Sequence, residues 1–144
     1  MKERIRLKRA YEPPEPDDGY RVLVERLWPR GVRKTTALLD GWAKDVAPST
    51  GLRKWFDHDP ERWLEFSRRY RRELREEPAA SAVRELVLRA RSTLTLVYGA
   101  RDEEHNAAVV LRSVLTRVTT RRATSSRGPA RVRKTATSGR GSRK

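Results

Sequence analysis

The stretch TLTLVYGARDEEHN, residues 93–106, decides the fold. Thr93 through Tyr98 are β-branched, aromatic and nearly continuous in hydrophobicity, the pattern of a strand covered on both faces. Gly99 breaks it. Asp102 then offers a helix cap, Glu103 and Glu104 suit the positive end of a helix dipole, and Ala107, Leu111, Val114, Leu115 and Val118 recur at helical spacing. The stretch therefore reads as strand, tight loop and helix N-terminus. In open α/β sheets this junction, at the carboxyl end of a strand, is where ligands usually bind. Here it carries Tyr98, Arg101, Asp102, His105 and Asn106.

Upstream, Ile5 and Leu7 alternate with Arg4, Arg6 and Lys8, as in a short edge strand with one buried face. Residues 12–19, EPPEPDDG, are turn chemistry throughout. Residues 21–27 follow as a second strand centred on Val22, Leu23 and Val24. Its end is charged: Glu25 and Arg26 either pair or line a cavity open to water, because a charge is rarely buried alone.

Thr35 or Thr36 is expected to cap a helix running to about Val46, with Leu38, Leu39 and Trp42 on one side. A short helical turn spans residues 52–56. Asp59-Pro60 then supplies a cap and first-turn proline for a long helix through Glu77, its inner face Trp63, Phe66, Tyr70 and Leu74. Past Pro78, a further helix carries Val83, Leu86, Val87 and Ala90 inward.

The expected architecture is one α/β domain over residues 2–118, with a small, mostly parallel sheet built on residues 5–8, 21–27 and 93–98 and flanked by four main helices. An antiparallel first strand pair is the alternative, since no helix is evident in residues 12–19. Residues 119–144 hold nine Lys or Arg, no acid and one large apolar residue, Val132, and read as a disordered basic tail. The net charge of +15 is thereby divided: the first 118 residues carry 25 bases against 19 acids, only +6.

There is no Cys, which excludes disulfides, thiolate metal ligands and a thiol nucleophile. No apolar run approaches the roughly 20 residues of a membrane span, and Met1 to Pro14 lacks the apolar core of a signal peptide. The expectation is a soluble cytoplasmic protein that engages no membrane.

Three blocks in order, DDGYRVLVERLWPRG, LRKWFDHDPERWLEF and TLVYGARDEEHNAAVVL, resemble the YeaO-like branch of the domain-of-unknown-function 488 family, over roughly residues 4–117. Standing in those blocks are Arg26, Trp28, Pro29, Arg30, Trp55, Phe56, His58, Asp59, Pro60, Trp63, Arg101, Asp102, His105 and Asn106. The resemblance implies a small single-domain bacterial α/β protein and carries over no activity, substrate or cofactor. Where the broader family often has a Cys-containing block after its last strand, this chain has Gly99, Ala100 and Arg101, a departure that sets thiol chemistry aside.

The leading candidate site pools the ends of two strands: Arg26 and Arg30 with Tyr98, Arg101 and Asn106 as an anion-binding set. Guanidinium groups form bidentate bonds to phosphate or carboxylate, and helix amides add positive potential. His105 is the candidate general acid or base, oriented by Asp102 one turn earlier. The plainer reading makes Asp102 a cap, pairs Arg101 with Glu25 and has His105 and Asn106 bond loop backbone. A metal site joining His58, His105 and a carboxylate has no spacing that requires it, there is no HExxH pair, and no cofactor is implied. The aromatics read as core rather than as base-stacking platforms, and no GxSxG elbow supports a serine nucleophile. The second functional reading, from another class, is non-specific binding of nucleic-acid phosphates through residues 119–144.

Overall fold

The structure is a computed structural model that describes residues 4–126, with side chains through residue 121. Its centre is a four-stranded sheet of β1 (Ile5–Arg9), β2 (Tyr20–Leu23), β3 (Gly41–Trp42) and β4 (Leu94–Tyr98), in the order β1-β4-β2-β3. Every pairing is parallel, so the antiparallel alternative for the first strand does not arise. β1 is an edge strand, as expected, and Leu96 of the fully buried β4 sits in register between Leu7 and Val22.

The helices are α1 (Lys34–Ala37), α2 (Thr50–Phe56), α3 (Trp63–Glu73), α4 (Ala79–Arg89) and α5 (Ala107–Ser126). α2 to α5 pack against one face of the sheet: Val22, Val24, Leu94, Leu96 and Tyr98 join Phe56, Phe66, Tyr70, Leu86, Leu111 and Leu115 in one apolar core. Phe56, Phe66 and Tyr70 stack in sequence, with centroids 4.3 and 5.7 Å apart, and the Tyr70 hydroxyl donates to the Val46 carbonyl. The aromatics of α3 thus serve the core face that their helical spacing implied.

On the opposite face lie Lys8, Arg21, Leu23, Thr95 and Val97, all buried and, by the two-residue period of strands, turned away from the helices. No long helix covers them among the described residues. Loop segments do so instead, through polar contacts: Thr95 Oγ1 donates to Asp18 O at 2.6 Å, Arg21 Nη2 to Ala37 O at 2.9 Å and Arg21 Nε to Leu38 O at 3.3 Å. Asp18, fully buried, takes Arg21 Nη1 at 2.6 Å and Lys8 Nζ at 3.1 Å, and Lys8 also reaches Glu15 at 2.7 Å. Burial pulls the Lys8 ammonium down, but its bonds to Glu15 and Asp18 outweigh that and hold it above its ordinary value. Burial pushes the Asp18 carboxyl up, and donation from the Glu15 amide, Lys8 and Arg21 more than reverses it.

Three expectations are corrected. Residues 35–46 are not one helix: α1 is a single turn, Leu38 takes the left-handed conformation (φ 47°), and Gly41–Trp42 forms β3 before a 3-10 turn over Lys44–Val46. Pairing to β2 outcompetes helix propensity there, since Asp40 N donates to Arg21 O, Ala43 N to Leu23 O, and Asp40 Oδ2 accepts from Arg21 N. The second strand is shorter than residues 21–27 because the chain leaves the ladder after Val24 N bonds Val97 O. The region after Pro60 begins as a 3-10 turn capped by Asp59 Oδ1, and α3 ends at Glu73 rather than Glu77.

α5 continues past residue 118, through Ser126, into the segment expected to be a disordered tail. No Gly or Pro occurs between Ala107 and Ser126, so each added residue extends an existing helix at little expense. The rest of that expected tail, residues 127–144, lies outside the described residues. No helix among the described residues is long and apolar enough to cross a membrane.

Candidate functional site

Because β2 and β4 are parallel neighbours, their carboxyl ends emerge at the same edge of the sheet. Glu25 bridges the gap that opens there, its Oε2 accepting from Gly99 N at 2.6 Å. A cavity of about 160 Å³ lies beside this bridge. Its walls come from the end of β2 (Glu25, Arg26, Leu27), from α2 and the turn after it (Arg53, Phe56, His58), and from Tyr98 and the start of α5 (Asn106, Ala107, Ala108). Residues from all three sequence blocks meet here.

Arg26 is the central cation. It is half-buried on the cavity wall, its Nη2 makes one long bond to Ala47 O at 3.4 Å, and its Nε is buried with no acceptor. A buried donor without a partner loses its hydration without replacement, so the fold holds this guanidinium at the cavity wall at a cost. Arg53 adds a second guanidinium, exposed and without a side-chain partner among the described residues. His58 stands at the rim with φ 54°, directly after Asp57 at φ 46°. Two successive non-glycine residues in the left-handed region are costly, and such strain gathers at functional sites.

The remaining residues of the sequence-derived set divide. Asn106 lines the cavity, yet both ends of its amide are committed: Oδ1 accepts from Val109 N at 3.1 Å and Nδ2 donates to Asp102 O at 2.8 Å. It is the N-cap of α5, a role the sequence reading gave to Asp102. Asp102 instead closes the preceding turn, accepting from Glu104 N and His105 N, both at 2.9 Å. Those backbone bonds, and then the His105 side chain, hold its carboxyl below the ordinary carboxylate value. Tyr98 gives the cavity a wall. Burial, with Glu103 and Glu12, raises its phenol pKa.

Arg30 and Arg101 do not line this cavity. Both are exposed, and Arg101 forms no pair with Glu25 or any other described residue. His105 Nδ1 lies 3.0 Å from Asp102 Oδ2 and its ring meets Trp63 edge-on at 5.2 Å; neither His105 nor Asp102 belongs to the cavity lining. Sequence reasoning missed Arg53, placed in a short helix with no hint that α2 abuts the strand ends. It also set His58 aside with the metal alternative; no group of three or more His, Cys, Asp or Glu among the described residues is arranged to hold a metal ion.

The described residues make a small parallel α/β domain with a cavity at the carboxyl ends of adjacent strands, the position at which open α/β sheets usually hold ligands. The chain belongs to the DUF488 family: the model described as "Inactive DUF488-N3 subclade" matches residues 4–131. Uncharacterized proteins of Mycobacterium tuberculosis and Mycobacterium bovis are each 46% identical to it over 112 residues, 78% of this chain and 93% of theirs. The uncharacterized protein YeaO of Escherichia coli K12 is 42% identical over 107 residues, 74% of this chain and 92% of that protein. No solved structure matches the chain.

Proposed function

We propose that this protein binds a small anion in the cavity at the ends of β2 and β4, and binds it without transforming it. The observation that carries the reading is the Arg26 guanidinium, half-buried on the cavity wall with its Nε lacking an acceptor, and Arg53 beside the same space. The start of α5, whose Ala107 and Ala108 line the cavity, favours the same sign of ligand through the positive end of the helix dipole, although Asn106 already takes the Val109 amide. Catalysis finds no comparable support. The acid–base candidates His105 and Asp102 are engaged with each other outside the cavity lining, and the word inactive in the description of the matching subclade agrees with that.

Thermal-shift screening against a panel of carboxylates and phosphates tests the reading. A ligand at a hundred times its Kd stabilises by about 2.7 kcal/mol, which moves Tm by several degrees for a chain of this size. The expected outcome is a shift for at least one anion that disappears in Arg26→Met, a change that keeps the aliphatic stem and removes the charge. A panel in which no anion shifts the wild type, or in which Arg26→Met shifts equally, sinks it.

A further inference from the structure

The charges and walls of the cavity define its ligand more narrowly than by sign. We infer that the cavity takes a monocarboxylate carried on a compact apolar body about the size of one ring, an inference that rests on the anion-binding reading above. The permanently charged groups lining the cavity are Arg26, Arg53 and Glu25, two cations against one anion; Asp57 and Asp59 flank His58 but do not line it. A single negative charge balances that set. A phosphate monoester, carrying between one and two negative charges near neutral pH, overfills it and meets the Glu25 carboxylate.

Size and chemistry of the walls supply the rest. At about 160 Å³ the cavity resembles the roughly 150 Å³ engineered cavity that holds one benzene. A nucleotide or sugar phosphate would leave most of its body outside it. Most of the wall is apolar, Val24, Leu27, Pro48, Phe56 and Phe66 among it, so a ligand that is all charge leaves that surface unmatched. A planar carboxylate fits the fork of a guanidinium in two parallel bonds, and Arg26 on the cavity wall commits only its Nη2, in one long bond to Ala47 O. The ligand that satisfies both halves carries one carboxylate on one ring.

Calorimetric titration of the full chain with benzoate tests this, against benzyl alcohol, inorganic phosphate and phenyl phosphate. Benzoate is expected to bind saturably at one site, at least roughly tenfold tighter than the other three, because a charge-assisted hydrogen bond is worth more than about 1.4 kcal/mol. Arg53→Met, at an exposed position, is expected to weaken benzoate roughly tenfold with Tm unchanged. Leu27→Asp, at a position 63% exposed on the rim, adds a repelling charge and weakens it too without disturbing the core. If either phosphate binds in an Arg53-dependent way and benzoate does not, the carboxylate inference falls and the anion reading stands. If no anion binds, or benzyl alcohol binds as tightly as benzoate, both fall.

Discussion

The two faces of the sheet are buried by different physics. Under the helices, Phe56, Phe66, Tyr70 and their aliphatic neighbours exclude water by volume, and the stabilisation is spread over many weak contacts. Under the loops, the Asp18 carboxylate sits between Lys8 of β1 and Arg21 of β2, and its backbone carbonyl takes Thr95 of β4, so three strands meet at one residue. The first face degrades gradually as groups are removed, whereas the second fails when one partner goes, since a buried charge left alone costs far more than a lost methylene.

The sharpest way to break that contrast is a matched pair of substitutions. Asp18→Asn leaves the buried Arg21 without a counter-charge and Lys8 with Glu15 alone, and is expected to destabilise by about 3–5 kcal/mol, read as a lower urea midpoint. Phe66→Ala carries a similar loss of about 3–5 kcal/mol at neutral pH by opening a cavity. Acid separates them. The Asp18 pKa is depressed on folding, so its contribution is present above the ordinary carboxylate value of about 3.9 and is lost as pH falls through the folded value. The penalty of the Asp18→Asn change therefore shrinks in strong acid while that of Phe66→Ala stays flat. The raised Lys8 pKa gives the mirror limit, a contribution held below about 10.4 and lost as pH rises through the folded value. If both penalties follow pH alike, the distinction between the faces is wrong.

A smaller effect is expected where the polar loop joins the sheet. Gly19 has φ 64°, and a Cβ there lies 2.2 Å from Thr93 O, backbone that cannot swing aside. Gly19→Ala should destabilise by about 1–3 kcal/mol in chemical denaturation, and a neutral result would show that the entry to β2 is looser than the contact implies. The smallest effect is on the helical side. Asn106→Ala removes the cap bond to Val109 N and should cost about 1 kcal/mol; Asp102→Ala exceeding it would return the capping role to the residue the sequence first suggested.

How much of this was legible in the sequence follows the range of the interactions. The unit from β4 to α5, the edge position of β1 and the inner face of α3 are written in local periodicity, so they read directly. β3 was not, because two residues carry no period and their state is fixed by bonds to β2. Gly41 was the available signal, an unusual residue for a helix interior that here lets Tyr20 Oη come within 2.6 Å of where a Cβ would stand. At the site, the convergence of Arg26, Tyr98 and Asn106 followed from parallel strands. The exclusion of Arg30 and Arg101 did not, since sequence proximity to a strand end does not say which way an arginine turns. Arg53 and His58 arrive through tertiary packing of α2, which no local pattern encodes.

The run of α5 separates two charges that a composition adds together. Its first residues wall the cavity, and Arg121 lies fourteen positions further along, about 20 Å at 1.5 Å per residue. That is more than twice the screening length of about 8 Å at physiological ionic strength. Arg121 at the far end of this helix is electrostatically remote from the cavity, so it adds to the chain's net charge of +15 without setting what the cavity attracts. The charge that the cavity presents is set at the sheet edge itself, by Arg26, Arg53 and Glu25.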